Sequence, residues 1–269
     1  MRRFWVLFAG MVVAAYAVFV VLVRPSNTRN WSLDQAMLAH AEIDGPLVTI
    51  HNVRNFRYET TEQYTPAYDS RTYDLRKLDS AWFFVVPFGK GVAAHTFASF
   101  GFGDDDYVSV SVEIRKERGE SFSPLKGLLR HYEIMYVIGD ERDLVKLRTN
   151  HRNDAVHLYR IRATPERMRS MFLSMVRRAN HLHDHPEFYN TLTNTCTTNL
   201  VRHVNEIAPK RIPVRASVYL PATSDRLAYE LGLIDTDLPF EETRRRALIT
   251  EKARQYADDP QFSKRIRGM

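Results

Sequence analysis

The chain has 269 residues, 44% of them hydrophobic and 26% charged, and its 15 Phe and 13 Tyr can supply a sizeable core. These proportions exclude a disordered or fibrous chain and predict a globular protein. The formal net charge is +6, but the Lys and Arg residues are spread along the chain without aromatic-interleaved basic blocks, so no nucleic-acid partner is predicted.

The chain begins with a strongly apolar segment. Phe4 to Val23 carries no charge, and Arg2 and Arg3 precede it. Such a run is long enough to cross a bilayer as a helix, and the positive residues favour a cytoplasmic N-terminus. We therefore predict a retained transmembrane anchor over residues 1–24, followed by an exported domain. A cleaved signal peptide is the alternative, but its apolar core would span only about 7 to 15 residues.

Strands are predicted after a spacer and short helix in residues 25–47, where the helix covers Ser32–Ile43. The predicted strands are rich in branched and aromatic residues and are separated by turn formers. They are Val48–Val53, Ala81–Phe88, Val92–Phe102, Tyr107–Arg115, Tyr132–Ile138, Asp143–Arg148 and Val156–Ile161. Gly103–Asp106 joins the third and fourth strands as a hairpin, which indicates a largely antiparallel sheet.

The second half of the chain is predicted to be helical. Thr164 and Pro165 form a helix start, and a stripe of Met and other apolar residues follows at helical spacing. A second helix begins at Cys196 and ends at Pro209, and the tail from Ala222 is helical with breaks at Gly232 and Pro239. The fold class is therefore α+β, an antiparallel sheet packed against helices, with residues 48–269 as one domain.

Cys196 is the only cysteine, so it cannot form an intramolecular disulfide in the oxidising compartment that we predict. A small buried hydrophobe or an intermolecular disulfide are the structural alternatives. The polar run Asn194–Asn199 opens directly into an apolar-periodic helix, which places the sulfur in the first turn. There the helix dipole and unpaired N–H groups stabilise a thiolate and an oxyanion. Cys196 is therefore the candidate nucleophile.

His95 is the candidate base, because it lies on an apolar strand between small residues that leave room for a helix. A satisfied core histidine is the structural alternative. The neighbouring strand carries Ser111 and Glu113, and Glu113 is the candidate third residue with Ser111 as its substitute. Whether these side chains share a face with His95 depends on the register of the hairpin.

The sequence predicts no metal site and no cofactor. His181, His183, Asp184 and His185 do not match a metal-ligand spacing, so we interpret them as a polar loop. Motifs of serine hydrolases, zinc proteases and nucleotide-binding loops do not occur.

Several segments together resemble the bacterial Lnb N-terminal periplasmic domain family, and they extend over nearly everything after the anchor. They are Ile50–Tyr58, His95-Thr96, Ser111–Arg115, Pro186–Asn190, Thr191–Thr198 and Leu231–Thr236. The family is similar to permuted NlpC-type and lecithin retinol acyltransferase-type thiol enzymes, in which a strand histidine precedes a helix-start cysteine. The resemblance thus implies a permuted papain-like (NlpC-like) core.

The resemblance also implies a function: acylation of lipoproteins at their N-terminal amine, with a phospholipid or lipoprotein ester as acyl donor. It assigns Cys196 as nucleophile and His95 as base, whereas Arg54, Asn55 and Glu113 match motif positions without an assigned role. The chain departs from the family at Thr195, where Asn is expected, and Asn194 lies one place earlier.

These observations predict a single-pass protein of the bacterial inner membrane, with its C-terminal domain in the periplasm and membrane lipid and lipoprotein as partners. The predicted activity is cysteine-dependent acyl transfer through a thioester on Cys196. Two alternatives stay open at this point. One is a thiol hydrolase of the same fold, and the other is a membrane-tethered binding domain in which Cys196 merely packs.

Overall fold

The computed structural model describes residues 2–88, 91, 93–103, 106–208, 211–213 and 221–269. Its strands are His40–Asp44 (β1), Leu47–Arg54 (β2), Arg57–Tyr58 (β3), Tyr64–Thr65 (β4), Tyr68–Asp74 (β5), Ser80–Pro87 (β6), Ala94–Gly101 (β7), Tyr107–Arg115 (β8), Glu133–Asp140 (β9) and His157–Arg160 (β10). The main sheet has the order β1-β2-β9-β8-β7-β6-β10, and β5 also pairs with β2. Its pairs are antiparallel apart from β2 with β9.

The α-helices are Arg2–Leu22 (α1), Pro124–Leu128 (α2), Glu141–Lys146 (α3), Pro165–Asp184 (α4), Cys196–Ile207 (α5), Ser224–Glu230 (α6), Phe240–Ala247 (α7), Thr250–Gln255 (α8) and Phe262–Arg267 (α9). The predicted α+β class, with a mostly antiparallel sheet packed against helices, is therefore confirmed.

One face of the sheet, here called the front face, is covered by α4 and α5. Helix α4 starts as predicted, with Thr164 accepting a hydrogen bond from the N–H of Arg167 and Pro165 in its first turn. Its Met171, Phe172 and Met175 pack on Ala98 and Phe100 of β7 in the largest apolar cluster. Burial of each large apolar side chain contributes about 1.5 to 3 kcal/mol, so this stripe attaches α4 firmly to the sheet.

The opposite face, here called the back face, is covered by α3, α8 and α9. Phe84, Phe97 and Val137 of the sheet pack there with Phe262 and Ile266 of α9. Because successive side chains of a strand point to opposite faces, residues of β7 divide between the two faces by parity. This parity decides where each candidate side chain of β7 lies.

The elements predicted at Asp143–Arg148 and Ser32–Ile43 are wrong. Asp143–Arg148 was predicted as a strand, but it belongs to α3 and the π-helical turn Leu147–His151 that follows. The Asp140 side chain accepts a hydrogen bond from the N–H of Arg142 and starts this helix, which a short run of branched residues does not reveal.

The second error concerns Ser32–Ile43, predicted as a helix. Only the 3₁₀ turn Leu33–Gln35 forms there, and β1 pairs with β2. Gly45, with φ +54°, makes the tight turn between these strands, a conformation that suits glycine. Pairing with β2 outweighs the local helical tendency.

Val92, Asp104, Asp105 and Pro209, used above as strand, turn and helix boundaries, lie outside the described residues.

The apolar N-terminal run forms α1, and its described side chains are largely exposed. Among the described residues, no helix is both long enough and apolar enough to span a membrane. The transmembrane anchor therefore stays a prediction, as do its retention and the proposed division of the chain at residues 24 and 47.

Candidate functional site

Cys196 is the first residue of α5, as predicted. The preceding residue, Thr195, is the N-cap, and its side chain accepts a hydrogen bond from the N–H of Thr198 while the Thr198 hydroxyl bonds the N–H of Thr195. This reciprocal capping box holds the start of the helix. Thr195, which departs from the family pattern, thus has a defined structural task at the helix start.

The thiol of Cys196 is half-buried on the front face. Its Sγ lies 3.8 Å from Oγ1 of Thr197. Tyr189 is its ionisable neighbour: burial raises the pKa of the Tyr189 phenol, and negative charge on Cys196 raises this pKa further. Tyr189 therefore keeps its proton at neutral pH.

A hydrogen-bond network fixes the loop before Cys196. Asn194 donates from Nδ2 to the carbonyl of Phe188 over 2.9 Å, and its Oδ1 accepts from Nδ2 of Asn199 over 2.8 Å. Asn199, fully buried one turn into α5, also accepts from the Tyr136 hydroxyl over 3.3 Å. Asn194, a predicted site residue, therefore positions the loop that carries the thiol.

The network continues away from the thiol through His203. Its Nε2 lies 2.7 Å from the Tyr136 hydroxyl, and its Nδ1 lies 2.7 Å from the hydroxyl of Ser174, which bonds Glu206. Burial lowers the pKa of His203 to about 4, so the ring is neutral at pH 7. Sequence reasoning missed Asn199 and His203, although their spacing of three and seven residues from Cys196 places them on the sheet-facing side of α5.

A second polar cluster lies on the back face around His95. Its Nε2 is 2.7 Å from Oγ of Ser111, and the Ser111 hydroxyl donates to Glu113 over 2.9 Å. Arg148 donates to the same Glu113 oxygen over 3.1 Å. In the hairpin of β7 and β8, Phe97 lies opposite Ser111. With this register, the side chains of His95, Ser111 and Glu113 all lie on the back face of the sheet.

Charges in this cluster determine the state of the histidine. Burial alone would raise the pKa of Glu113, but attraction to Arg148 and Arg54 and the hydrogen bond from Ser111 lower that pKa below its ordinary value. Burial lowers the pKa of His95 to about 3, and the charge of Arg148 adds to this effect. Because ionised Glu113 takes the single hydroxyl proton of Ser111, the neutral His95 ring donates from Nε2 and carries its lone pair on Nδ1.

The predicted approach of His95 to Cys196 is wrong. Thr96, the next residue of β7, faces the helix start, with its hydroxyl 3.3 Å from that of Thr197. His95 instead stacks on Phe97, with ring centroids 5.8 Å apart, and pairs with Val86, and both of these residues belong to the back-face core. The His95 side chain lies on the back face of the sheet, whereas Cys196 packs on the front face, so His95 is not placed to act as the base for this thiol.

Arg54 and Asn55 have structural contacts. Arg54 is buried and donates to both carboxylate oxygens of buried Asp143 over 3.0 and 2.9 Å. Asn55 donates to Asp69 over 3.1 Å. A buried pair of this kind orders the segment around it, since loss of one partner leaves an uncompensated charge. Arg54 therefore supports α3, and Asn55 holds β5.

The predicted polar loop around His181–His185 is the end of α4. His183 pairs with Asp184 and His181 with Glu187. Within the part of the chain that the structure describes, no group of three or more His, Cys, Asp and Glu side chains is arranged to hold a metal ion.

An apolar pocket lies along α5, and its lining includes Thr197, the residue after Cys196. It runs along α5, where it is lined by Thr197, Leu200, Val201, Val204 and Ile207. The other walls come from β6 and β7, from Met168 and Met171 of α4, and from Leu227 and Ala228 of α6. From Thr197 to Ala208 the helix rises roughly 16 Å at 1.5 Å per residue, so the pocket is a long apolar channel.

The chain matches a known protein family over much of its length. The sequence model of the Lnb N-terminal periplasmic domain matches residues 64–228, which is more than half of the chain. No curated protein and no solved structure matches. The matched region contains β7, β8, α4 and the helix start at Cys196. The chain therefore belongs to the Lnb N-terminal periplasmic domain family.

Proposed function

We propose that this periplasmic-family domain is a thiol acyltransferase that carries an acyl group on Cys196. The observation that supports the proposal best is the apolar channel along α5, because its lining includes Thr197, whose Oγ1 lies 3.8 Å from Sγ of Cys196. A thioester on Cys196 could lay its hydrocarbon chain along α5. The acyl donor is then a membrane lipid or lipoprotein ester, and the acceptor is an amine.

The proposed reaction has two steps. The Cys196 thiol gives up its proton to solvent, and the thiolate attacks the ester carbonyl. A C–S bond forms, the C–O bond breaks, and the leaving alkoxide takes a proton from solvent to become the alcohol. An amine then attacks the thioester, a C–N bond forms, the C–S bond breaks, and the amine loses a proton to solvent. The N–H of Thr198 is bound by the Thr195 side chain, but the N–H groups of Cys196 and Thr197 precede the first intrahelical hydrogen bonds and can stabilise the oxyanion of each step.

The channel has the chemistry of an acyl-chain site. Most of its lining is aliphatic or aromatic, and its polar contributors are Arg162, Arg167, Thr197 and Ser224. Small-molecule sites are predominantly apolar with few polar groups. A saturated chain would bury its methylenes at about 0.8 kcal/mol each, which favours long chains over short ones.

Intact-mass measurement tests this proposal. The full chain is incubated with phospholipid, and we expect a mass increase of one acyl group that an amine acceptor removes. Cys196→Ala should show no adduct. His95→Ala should retain it, because His95 lies on the other face of the sheet. Loss of the adduct in His95→Ala, with the fold intact, would contradict the placement.

The channel itself has a matched test. Val204→Phe places a ring in the channel, whereas Arg202→Phe places the same ring on the exposed side of α5. We expect Val204→Phe to lower palmitoyl transfer while acetyl transfer continues, and Arg202→Phe to change neither. Equal effects of both substitutions on both chain lengths would reject the channel as the acyl site.

The alternatives correspond to other outcomes. If the adduct forms and water removes it as fast as an amine does, the domain is a thiol hydrolase. If lipid copurifies or binds without any adduct, and Cys196→Ala binds equally, it is a binding protein that holds lipid in the channel. The predicted anchor over residues 1–24 would keep any of the three beside the inner membrane.

A further inference from the structure

A cluster of exposed apolar side chains lies on the surface near Cys196. In α2 and its flanks, Phe122 is 45%, Leu125 65% and Leu129 50% exposed, and Leu192 of the turn before the thiol is 55% exposed. Single exposed apolar residues are ordinary, whereas a group of them marks an interaction site. These four residues are here called the docking surface.

The two segments of this surface are held together. Thr191 donates from its hydroxyl to the carbonyl of Pro124 over 2.7 Å. Phe122 contacts the ring of Tyr189, with centroids 6.3 Å apart, and Tyr189 is the neighbour whose pKa responds to charge on Cys196. The docking surface therefore borders the thiol.

The end of α1 lies at the same place. Arg130 donates from Nη1 to the carbonyl of Val20 over 3.2 Å, and Val21 and Leu22 are 60% and 73% exposed. The apolar residues of α1 thus come close to the docking surface.

The charges around this surface are mostly basic. Lys126 and Arg24 are exposed, and Arg130 is half-buried. The acidic neighbour Glu120 lies 2.6 Å from Nε2 of His131. Apolar side chains with a basic rim are the chemistry that binds the interface of an anionic bilayer.

We propose that the docking surface seats on an anionic phospholipid bilayer, so that Cys196 faces the lipid interface. Leucine and phenylalanine side chains enter the headgroup boundary, and the basic rim contacts phosphate groups. The proposed docking on a bilayer depends only on the surface residues described above. The proposal that docking delivers lipid to Cys196 rests in addition on the proposed acyl transfer.

Fluorescence quenching in vesicles tests the docking with the full chain. The fluorophore NBD is attached at Leu192→Cys in a Cys196→Ala background, and vesicles of phosphatidylglycerol and phosphatidylcholine carry a shallow nitroxide lipid. We expect quenching at this position. The matched control is NBD at Leu248→Cys, an exposed leucine beside β10, which should be quenched much less.

Two further variants separate docking from tethering alone. Leu125→Asp should abolish quenching at position 192 while α1 is unchanged. Lys126→Glu should weaken docking at least about fivefold, since one basic residue near an anionic surface is worth about that factor. Equal quenching at positions 192 and 248 overturns the proposal, and so does quenching that Leu125→Asp leaves unchanged.

A separate measurement with the same labelled protein in lipid-free detergent tests whether the surface binds a second copy of the chain. If the NBD signal at 192 changes with protein concentration in lipid-free detergent, the surface binds a second copy and the bilayer proposal fails. If docking is observed but native Cys196 never acquires an acyl group, acyl transfer fails and docking stands.

Discussion

Replacement of His95 by glutamine should change how stability depends on pH. The pKa of His95 is lowered from an ordinary 6.5 to about 3 by burial and by Arg148. Between these values the unfolded chain binds a proton that the folded chain does not, so the free energy of unfolding falls as the pH falls. One proton corresponds to about 1.4 kcal/mol per pH unit, hence roughly 2 to 3 kcal/mol between pH 6.5 and 4.5.

The assay is urea unfolding of wild type and His95→Gln, followed by circular dichroism from pH 8 to 4.5. At pH 8 the histidine is neutral in both states, so the difference in unfolding free energy reports only lost contacts. On acidification wild type should lose roughly 2 to 3 kcal/mol more than the variant. Other buried histidines act equally in both proteins. Parallel curves over the whole range would refute a neutral, desolvated His95.

Substitutions at Arg267, Asn199 and Thr195 test the packing and the thiol loop by urea unfolding. Arg267→Ala should cost about 3 to 5 kcal/mol, because Arg267 and Glu141 form a fully buried ion pair, whereas exposed Arg265→Ala should cost about 1 kcal/mol or less. Asn199→Ala should cost about 1 to 3 kcal/mol and slow acyl-adduct formation, since Asn199 holds the loop before the thiol. Thr195→Ala should cost about 1 kcal/mol, and Thr195→Asn should restore the cap.

Local signals in the sequence determined much of the fold. Thr164 and Pro165 predicted the start of α4, and the polar run around Cys196 predicted the start of α5. Both starts were predictable because helix capping depends on residues within one turn. Alternating branched and aromatic residues located β8 over Tyr107–Arg115. Similarity over several of these segments was enough to indicate the family, which the match over residues 64–228 confirmed.

Local patterns failed where two structures have similar short-range preferences. Asp143–Arg148 contains branched residues that suit a strand, yet the buried pair of Asp143 with Arg54 and the cap at Asp140 make it helical. The partner, Arg54, lies far away in the chain. Such a contact forms only after the sheet has brought β2 and β9 together.

By itself the sequence determined which residues could do chemistry: a helix-start thiol, a strand histidine and the polar residues of β8. Only the tertiary structure decided which of them meet. A strand alternates its side chains, so one residue separates Thr96, which faces Thr197, from His95, which faces Ser111. The face that receives α5 is set by packing of α4 and α5 on distant strands, and no pattern within β7 encodes it.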